Sequence, residues 1–120
     1  MKETEIRLTL NNKIMSTSNN NISHLSDNEL VALYKKTDET KYIGAAYKRY
    51  IHLVFGMCVL YFKDKNLANN STFQIFDQLK VELKRREMAN FRTWLASLVR
   101  NHCMMELQKV RVEVLTTHRR

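Results

Sequence analysis

The sequence predicts an all-α fold, a small bundle of about four helices. Apolar residues recur at three- and four-residue steps along most of the chain, proline is absent, and glycine occurs only twice. No alternating strand-like stretch of any length competes with this period. With 120 residues, 44% of them apolar, the chain is long enough for one small domain with a modest core. We expect this domain over residues 25–111, between a flexible leader at 1–24 and a basic tail at 112–120.

The leader is predicted from composition, because residues 1–24 are rich in Asn, Ser and Thr and lack a sustained apolar period. Met15, within it, is an alternative start. The first helix is predicted over 27–37, where Ser26 and Glu29 form a capping box. Its apolar face carries Leu30, Leu33 and Tyr34.

A second, central helix is predicted from about 41 to 63, followed by a third over 65–85 that Asp64 caps. Asn90 caps the fourth helix, and residues 110–115 are expected to be frayed helix or coil. The inward residues of the second helix are Ile43, Tyr47, Tyr50, Ile51, Val54, Phe55, Cys58 and Phe62; those of the third are Leu67, Ser71, Phe76, Leu79 and Leu83; those of the fourth are Phe91, Trp94, Leu95, Leu98, Val99 and His102.

Positive charge is concentrated in the last third of the chain. The net charge is +8, of which residues 1–79 carry +2 and residues 80–120 carry +6. A concentrated positive surface favours polyanions such as nucleic acid, with an affinity that falls steeply with salt. An ordinary solvated basic face is the alternative.

Metal, catalytic and membrane functions have little support in the sequence. Cys58 and Cys103 lie 45 positions apart in apolar runs, so we expect both to be buried and reduced, with no metal site and no cofactor. The four histidines are scattered and no phosphate-binding glycine loop occurs, so no enzymatic activity is predicted. No signal-type segment opens the sequence, and its longest apolar stretch, 53–62, is too short to span a bilayer, so we expect a cytoplasmic protein.

Four sequence blocks occur in order at the predicted helices: residues 25–30 (LSDNEL), residues 47–50 (YKRY), residues 74–76 (QIF) with Leu79, and residues 91–95 (FRTWL) followed by Arg100 and Asn101. Through these blocks the chain resembles region 2 of bacterial RNA polymerase sigma factors, in the extracytoplasmic-function group. The resemblance covers residues 25–111. It implies a helical domain that docks on the clamp helices of the polymerase largest subunit and captures the non-template single strand of the promoter minus-ten element.

The resemblance implies that polymerase docking uses the outward face of the third helix, Asn69, Asn70, Phe73, Gln74 and Asp77. An ordinary solvated face, with Phe73 tucked against a neighbouring helix, is the alternative. The family usually has an acidic residue where this chain has Asn70, so the charge-assisted part of that contact is lost.

For DNA, the resemblance implies that the loop over 84–90, together with Asn101, receives a flipped-out base. Asn101 could instead satisfy backbone groups within the bundle, and Trp94 is predicted to be core rather than a stacking platform. The phosphate contacts implied are Arg85, Arg86, Arg92, Arg100, Lys109 and Arg111.

These observations leave two functions open. The first is a transcription initiation module that binds core RNA polymerase and single-stranded promoter DNA. The second is a degenerate or truncated sigma-like module that binds an anti-sigma factor or polymerase without opening promoters. Complete family members carry a second helical domain that reads the minus-thirty-five element, and the residues after Arg111 are too few to supply one.

Overall fold

A computed structural model describes residues 22–118, with side chains as far as Val112. Most of the predicted leader, including the alternative start at Met15, lies outside these residues, as does the end of the predicted tail.

The described residues form five helices and no strand, which confirms the predicted all-α bundle. The central helix α3 packs against both long helices, α4 and α5, while α1 packs against α2. The bounds are α1 (Asp27–Thr37), α2 (Thr40–Arg49), α3 (Ile51–Phe62), α4 (Lys65–Arg85) and α5 (Phe91–His118).

Side-chain caps begin three of the helices where the sequence predicts them. In the capping box, Ser26 Oγ accepts from the Glu29 backbone N–H at 3.1 Å, and Glu29 Oε1 accepts from the Ser26 N–H at 2.8 Å. Asp64 Oδ1 accepts from the Leu67 N–H at 2.9 Å, and Asn90 Oδ1 accepts from the N–H of residue 93 at 2.9 Å. Each cap satisfies a backbone donor that its helix cannot.

The prediction of one long second helix over 41–63 is wrong, because the helix breaks at Tyr50, whose φ is −116° and ψ 16°. Contacts to the start of α1 hold this break. The Arg49 guanidinium donates to Asp27 Oδ1 at 2.8 Å and to the carbonyls of Ser23 at 3.0 Å and Leu25 at 2.5 Å. The Tyr50 hydroxyl donates to the other oxygen of Asp27. These partners are more than 20 positions away, so a local apolar period carries no sign of them.

The folded domain includes residues before its predicted start at residue 25. Ile22 is buried in the core, and its carbonyl accepts from the Leu25 N–H at 3.2 Å. Residues 22–24, assigned to the leader by composition, therefore belong to the folded domain.

The prediction that Leu67 faces inward is wrong, because 48% of its surface is exposed. The buried stripe of α4 begins at Ala68 and continues through Ser71 and Thr72. Leu67 lies about 100° away from Ala68 around the helix, on the solvent side. The other predicted inward residues of α4, namely Ser71, Phe76, Leu79 and Leu83, are buried.

Polar and sulfur contacts join the central helices. Tyr47, fully buried, donates its hydroxyl to the Thr72 carbonyl at 2.8 Å and thereby links α2 to α4. Cys58 and Cys103 are buried and free, as predicted, with their sulfurs 3.8 Å apart between α3 and α5. Burial raises the pKa of the Cys58 thiol, so the thiol stays protonated at neutral pH.

Candidate nucleic-acid interface

An open cleft of about 400 Å³ lies between the second half of α4 and the middle of α5. Three residues predicted to bind DNA, Arg86, Asn101 and Lys109, lie on its walls. Arg86 follows α4 while the other two lie on α5, so the helix packing brings them together. The full lining is Gln78, Glu82, Arg86, Trp94, Ser97, Leu98, Asn101, His102, Met105, Glu106 and Lys109.

A buried histidine forms the floor of the cleft. His102 Nδ1 lies 3.0 Å from Gln78 Nε2, and His102 Nε2 lies 3.2 Å from Ser71 Oγ. Because an amide nitrogen only donates, this arrangement makes Nδ1 the acceptor and leaves the ring proton on Nε2, directed at Ser71. Burial also lowers the pKa of His102. The floor is therefore polar and uncharged at neutral pH.

Trp94 and Asn101 provide the aromatic and amide groups of the cleft. Trp94 is half-buried: it packs on the core, with its ring centroid 6.3 Å from that of Phe91, and it also lines the cleft. Asn101 is exposed, and its side-chain amide has no hydrogen-bond partner among the described residues. Its donors and acceptor are therefore open to a ligand.

Two acidic residues partner the cations of the cleft. Glu82 accepts from Arg86 Nε at 3.0 Å and lies 3.9 Å from Arg85 Nη1. Glu106 lies 3.2 Å from Lys109 Nζ. Exposed pairs of this kind contribute about 0.2–1 kcal/mol each, so a phosphate can replace the carboxylate at modest cost.

The other cations predicted to bind DNA, Arg85, Arg92, Arg100 and Arg111, are exposed and lie outside the cleft. Arg92, Arg100 and Arg111 make no ion pair with any acidic residue in the described part of the chain. The predicted DNA-binding residues thus divide into a cleft group and a flanking group.

The loop between α4 and α5, predicted to receive a base, is tied to α1. Lys35 Nζ donates to the Arg86 carbonyl at 2.6 Å and lies 3.7 Å from a Glu87 carboxylate oxygen. Lys84, at the end of α4, pairs with Asp38 just after α1. Met88, half-buried, packs against the core. These contacts hold the loop beside the mouth of the cleft.

The predicted polymerase-docking residues divide between exposed and half-buried positions of α4. Asn70, Gln74 and Asp77 are exposed. Phe73 is half-buried and packs against the core, which agrees with the alternative considered for it. Asn69 is half-buried, and its Oδ1 has no hydrogen-bond partner among the described residues.

Two apolar residues extend this face of α4. Leu67 and Val81 are 48% and 56% exposed. With Asn70, Gln74 and Asp77 they form an exposed stripe at three- and four-residue steps. The sequence contains this period, but the prediction from sequence placed Leu67 on the inward face instead. The carboxylate of this stripe, Asp77, lies 3.5 Å from Lys80 Nζ.

Comparisons of the chain with protein-family models, with curated proteins and with solved structures gave no match. No helix in the described part is long and apolar enough to cross a membrane. Within the same residues, no group of three or more His, Cys, Asp and Glu side chains lies together as a metal site would require.

The chemistry of the cleft suits an unpaired nucleobase with its phosphate. An aromatic wall can stack on a base, and the amides of Gln78 and Asn101 can hydrogen-bond to its edge. Arg86 and Lys109, at the walls, can contact phosphates. The sequence did not indicate Gln78 or Glu82 as site residues, and it indicated His102 only as an inward residue, because the residues that face a cleft depend on how two helices cross.

Proposed function

We propose that this chain is a transcription initiation module, similar to region 2 of a sigma factor, that binds core RNA polymerase and the non-template single strand of the promoter minus-ten element. In this proposal the α4–α5 cleft holds an unstacked base, and the flanking arginines contact the backbone on either side.

The cleft is the observation that carries the proposal. It combines a half-buried tryptophan, an amide with no partner among the described residues and two cations, and it lies beside a loop tied to α1. Base stacking, edge recognition and phosphate contact are the three interactions that single-strand capture requires. The sequence resemblance assigned DNA contacts to three of these residues on independent grounds.

Polymerase docking is proposed for the stripe on α4, with Leu67 and Val81 added to Asn70, Gln74 and Asp77. Leu67 and Val81 are exposed apolar surface on this stripe that a docked partner would remove from water. The stripe and the cleft have no residue in common, so one domain can offer a surface to polymerase and another to DNA.

A second function is binding to polymerase or an anti-sigma factor without promoter opening. The low negative charge of this stripe favours it. Asp77 is already paired with Lys80, and Asn70 is neutral. A docking surface with one paired carboxylate gains little from charge-assisted contacts to basic groups of a partner.

The first experiment is co-elution of the chain with core RNA polymerase at low and moderate salt. We expect co-elution at low salt, and we expect Asn70→Asp to maintain it to higher salt because a carboxylate restores a charge-assisted contact. Asn28→Asp, at an exposed position of α1, makes the same charge change away from the stripe and should have no effect. Absence of co-elution for every variant would refute polymerase docking.

The second experiment separates the two functions. A labelled single-stranded oligonucleotide of about 12 nucleotides, within the range that one small domain covers, is titrated with the chain. The initiation module predicts binding that exceeds binding to the duplex and weakens when Arg85, Arg86 and Arg92 are replaced by Ala, with a flatter salt dependence. Co-elution with polymerase but equal, weak binding to both DNA forms would support the second function.

A further inference from the structure

The second half of α5 extends beyond the hydrophobic core. Residues buried in the bundle occur along α5 as far as Cys103, whereas every residue from 104 to 112 is exposed except Glu106, which is half-buried. Five of these exposed side chains are large and apolar: Met104, Met105, Leu107, Val110 and Val112 are between 38% and 61% exposed. A patch of this kind needs an explanation in a domain whose core is otherwise well covered.

Met104 and Leu107 do not continue the core stripe, whereas Met105, seven residues after Leu98, lies on the side of α5 that lines the cleft. Met104 lies about 180° around the helix from the buried Leu95, because nine residues at 100° each bring it to the opposite side. We define the outer face of α5 as Arg100, Met104, Met105, Leu107, Gln108 and Arg111. Two shallow depressions lie on this face, and Gln108 lines both. Met104, Leu107 and Arg111 complete the first, and Met105, Lys109 and Val112 complete the second.

The charges on the outer face are all positive. Arg100 and Arg111 are exposed and have no acidic partner in the described part of the chain. Glu106, the one acid among α5 residues 91–112, lies 3.2 Å from Lys109 Nζ and lines the cleft instead. A partner that covers the methionines must therefore lie beside two unneutralised guanidinium groups, which an acidic partner stabilises and a basic one does not.

We propose that the outer face of α5 is a docking site for an amphipathic helix of another protein that is apolar on one side and acidic along its flanks. The face extends over about 16 Å, or three turns, which matches the i, i+3, i+4 and i+7 anchors of a docked helix. Methionine side chains adapt to such anchors, and Gln108 offers hydrogen bonds at the centre.

The charge distribution disfavours the two other occupants. A second copy would bring guanidinium groups against guanidinium groups, on chains that each carry +8. A lipid surface would desolvate the Gln108 amide with no partner to replace water, and the exposed large apolar residues of the described part include none of the aromatic anchors that interfacial helices use.

The test uses two synthetic helical peptides of about 18 residues with the same leucines at i, i+3, i+4 and i+7, one flanked by glutamates and one by lysines. Binding of each labelled peptide to the full chain is measured by fluorescence anisotropy. We expect the glutamate peptide to bind with a dissociation constant on the order of 100 µM or below and the lysine peptide to bind at least about tenfold more weakly.

Variants locate the site. The double variant Met104→Ser, Leu107→Ser should bind the glutamate peptide at least about tenfold more weakly than the original chain does. Leu60→Ser, at an apolar residue on α3 that is 72% exposed, should leave binding unchanged. Because the double variant keeps every cation, its affinity for single-stranded DNA should not change, so failure here is distinct from failure of the DNA-binding proposal.

Three results would overturn the proposal. Equal binding of the two peptides, or binding unaffected by the double variant, would refute the acidic helix as occupant. Self-association in sedimentation that the double variant abolishes would assign the face to a second copy. Binding to phosphatidylcholine–phosphatidylserine vesicles that depends on Met104 and Leu107, without peptide binding, would assign it to a lipid surface.

Discussion

Replacing Glu82 by Gln should strengthen binding to single-stranded DNA, because Glu82 neutralises two arginines that we propose contact phosphate. Its carboxylate lies 3.0 Å from Arg86 Nε and 3.9 Å from Arg85 Nη1. A phosphate must compete with this carboxylate for both guanidinium groups. An amide at position 82 keeps the size of the side chain and removes the competition.

The magnitude follows from the exposure of the three side chains. Arg85 and Arg86 are 72% and 65% exposed and Glu82 is 29% exposed, so water screens the pairs and each contributes about 0.2–1 kcal/mol. Releasing one such pair raises the affinity between about 1.4-fold and about 5-fold. Each additional phosphate contact steepens the slope of log K against log salt by about 0.7 on a single strand.

The assay is a fluorescence titration of a labelled single strand at about 50 and about 200 mM salt, the interval over which such contacts change affinity most visibly. Glu87→Gln is the matched control, since Glu87 lies only five residues from Glu82, in the loop after α4, and carries the same charge but pairs with Lys35 on α1 at 3.7 Å. Adding Arg86→Ala to Glu82→Gln should remove most of the gain. Equal gains for the two glutamine variants would show that only net charge matters and would refute a contact at Arg86.

Two further predictions concern stability. Burial lowers the pKa of His102 below its ordinary value near 6.5, so the unfolded chain binds the proton more tightly than the folded chain does. The stability that neutral His102 permits is therefore fully present above pH 6.5 and is lost as the pH falls below that value. Between about pH 7.5 and about pH 5, the free energy of unfolding measured in urea should fall less for His102→Gln than for the original chain. An equal loss would place the titrating group elsewhere. Gly56→Ala should stabilise the fold by about 0.5–1 kcal/mol and raise the melting temperature by about 2–8 °C. The reason is that a Cβ at Gly56 meets no atom within 4 Å, while alanine restricts the unfolded chain. A lower melting temperature would contradict this prediction.

Helix starts were predictable because their signals are local. A cap requires one side chain and a backbone N–H two or three residues later, so Ser26, Asp64 and Asn90 can be recognised within a single turn. The apolar period likewise identified the buried residues of α5 from Phe91 to His102. In both cases the sequence neighbours that determine the structure lie within a few positions.

The errors arose where distant residues decide the structure. The break at Tyr50 depends on Asp27 and on carbonyls near residue 25, and the burial of Ile22 depends on the core formed by later helices. Leu67 was assigned inward because it precedes Ser71 by four residues, yet Ala68 takes that place. Periodicity identifies a stripe but does not fix its edges to within one residue.

The candidate site was predictable only in part. A basic terminal third and the resemblance indicated the arginines, Asn101 and Lys109, but neither indicated that Glu82 and Glu106 would pair with them. The cleft depends on the crossing of α4 and α5, which no local pattern records. The outer face of α5 was equally hidden, since Met104 and Leu107 occur at the same spacing as core residues.

Met105 and Lys109 line both the α4–α5 cleft and one depression on the far half of α5. One side chain cannot serve two ligands at the same moment, so a nucleic-acid strand and a docked helix would each reduce the affinity of the other. Thermodynamic linkage makes that reduction the same factor in both directions, whichever ligand arrives first. The single helical turn from Met105 to Lys109 would then be enough to make DNA binding and helix docking antagonistic, with no change in the fold.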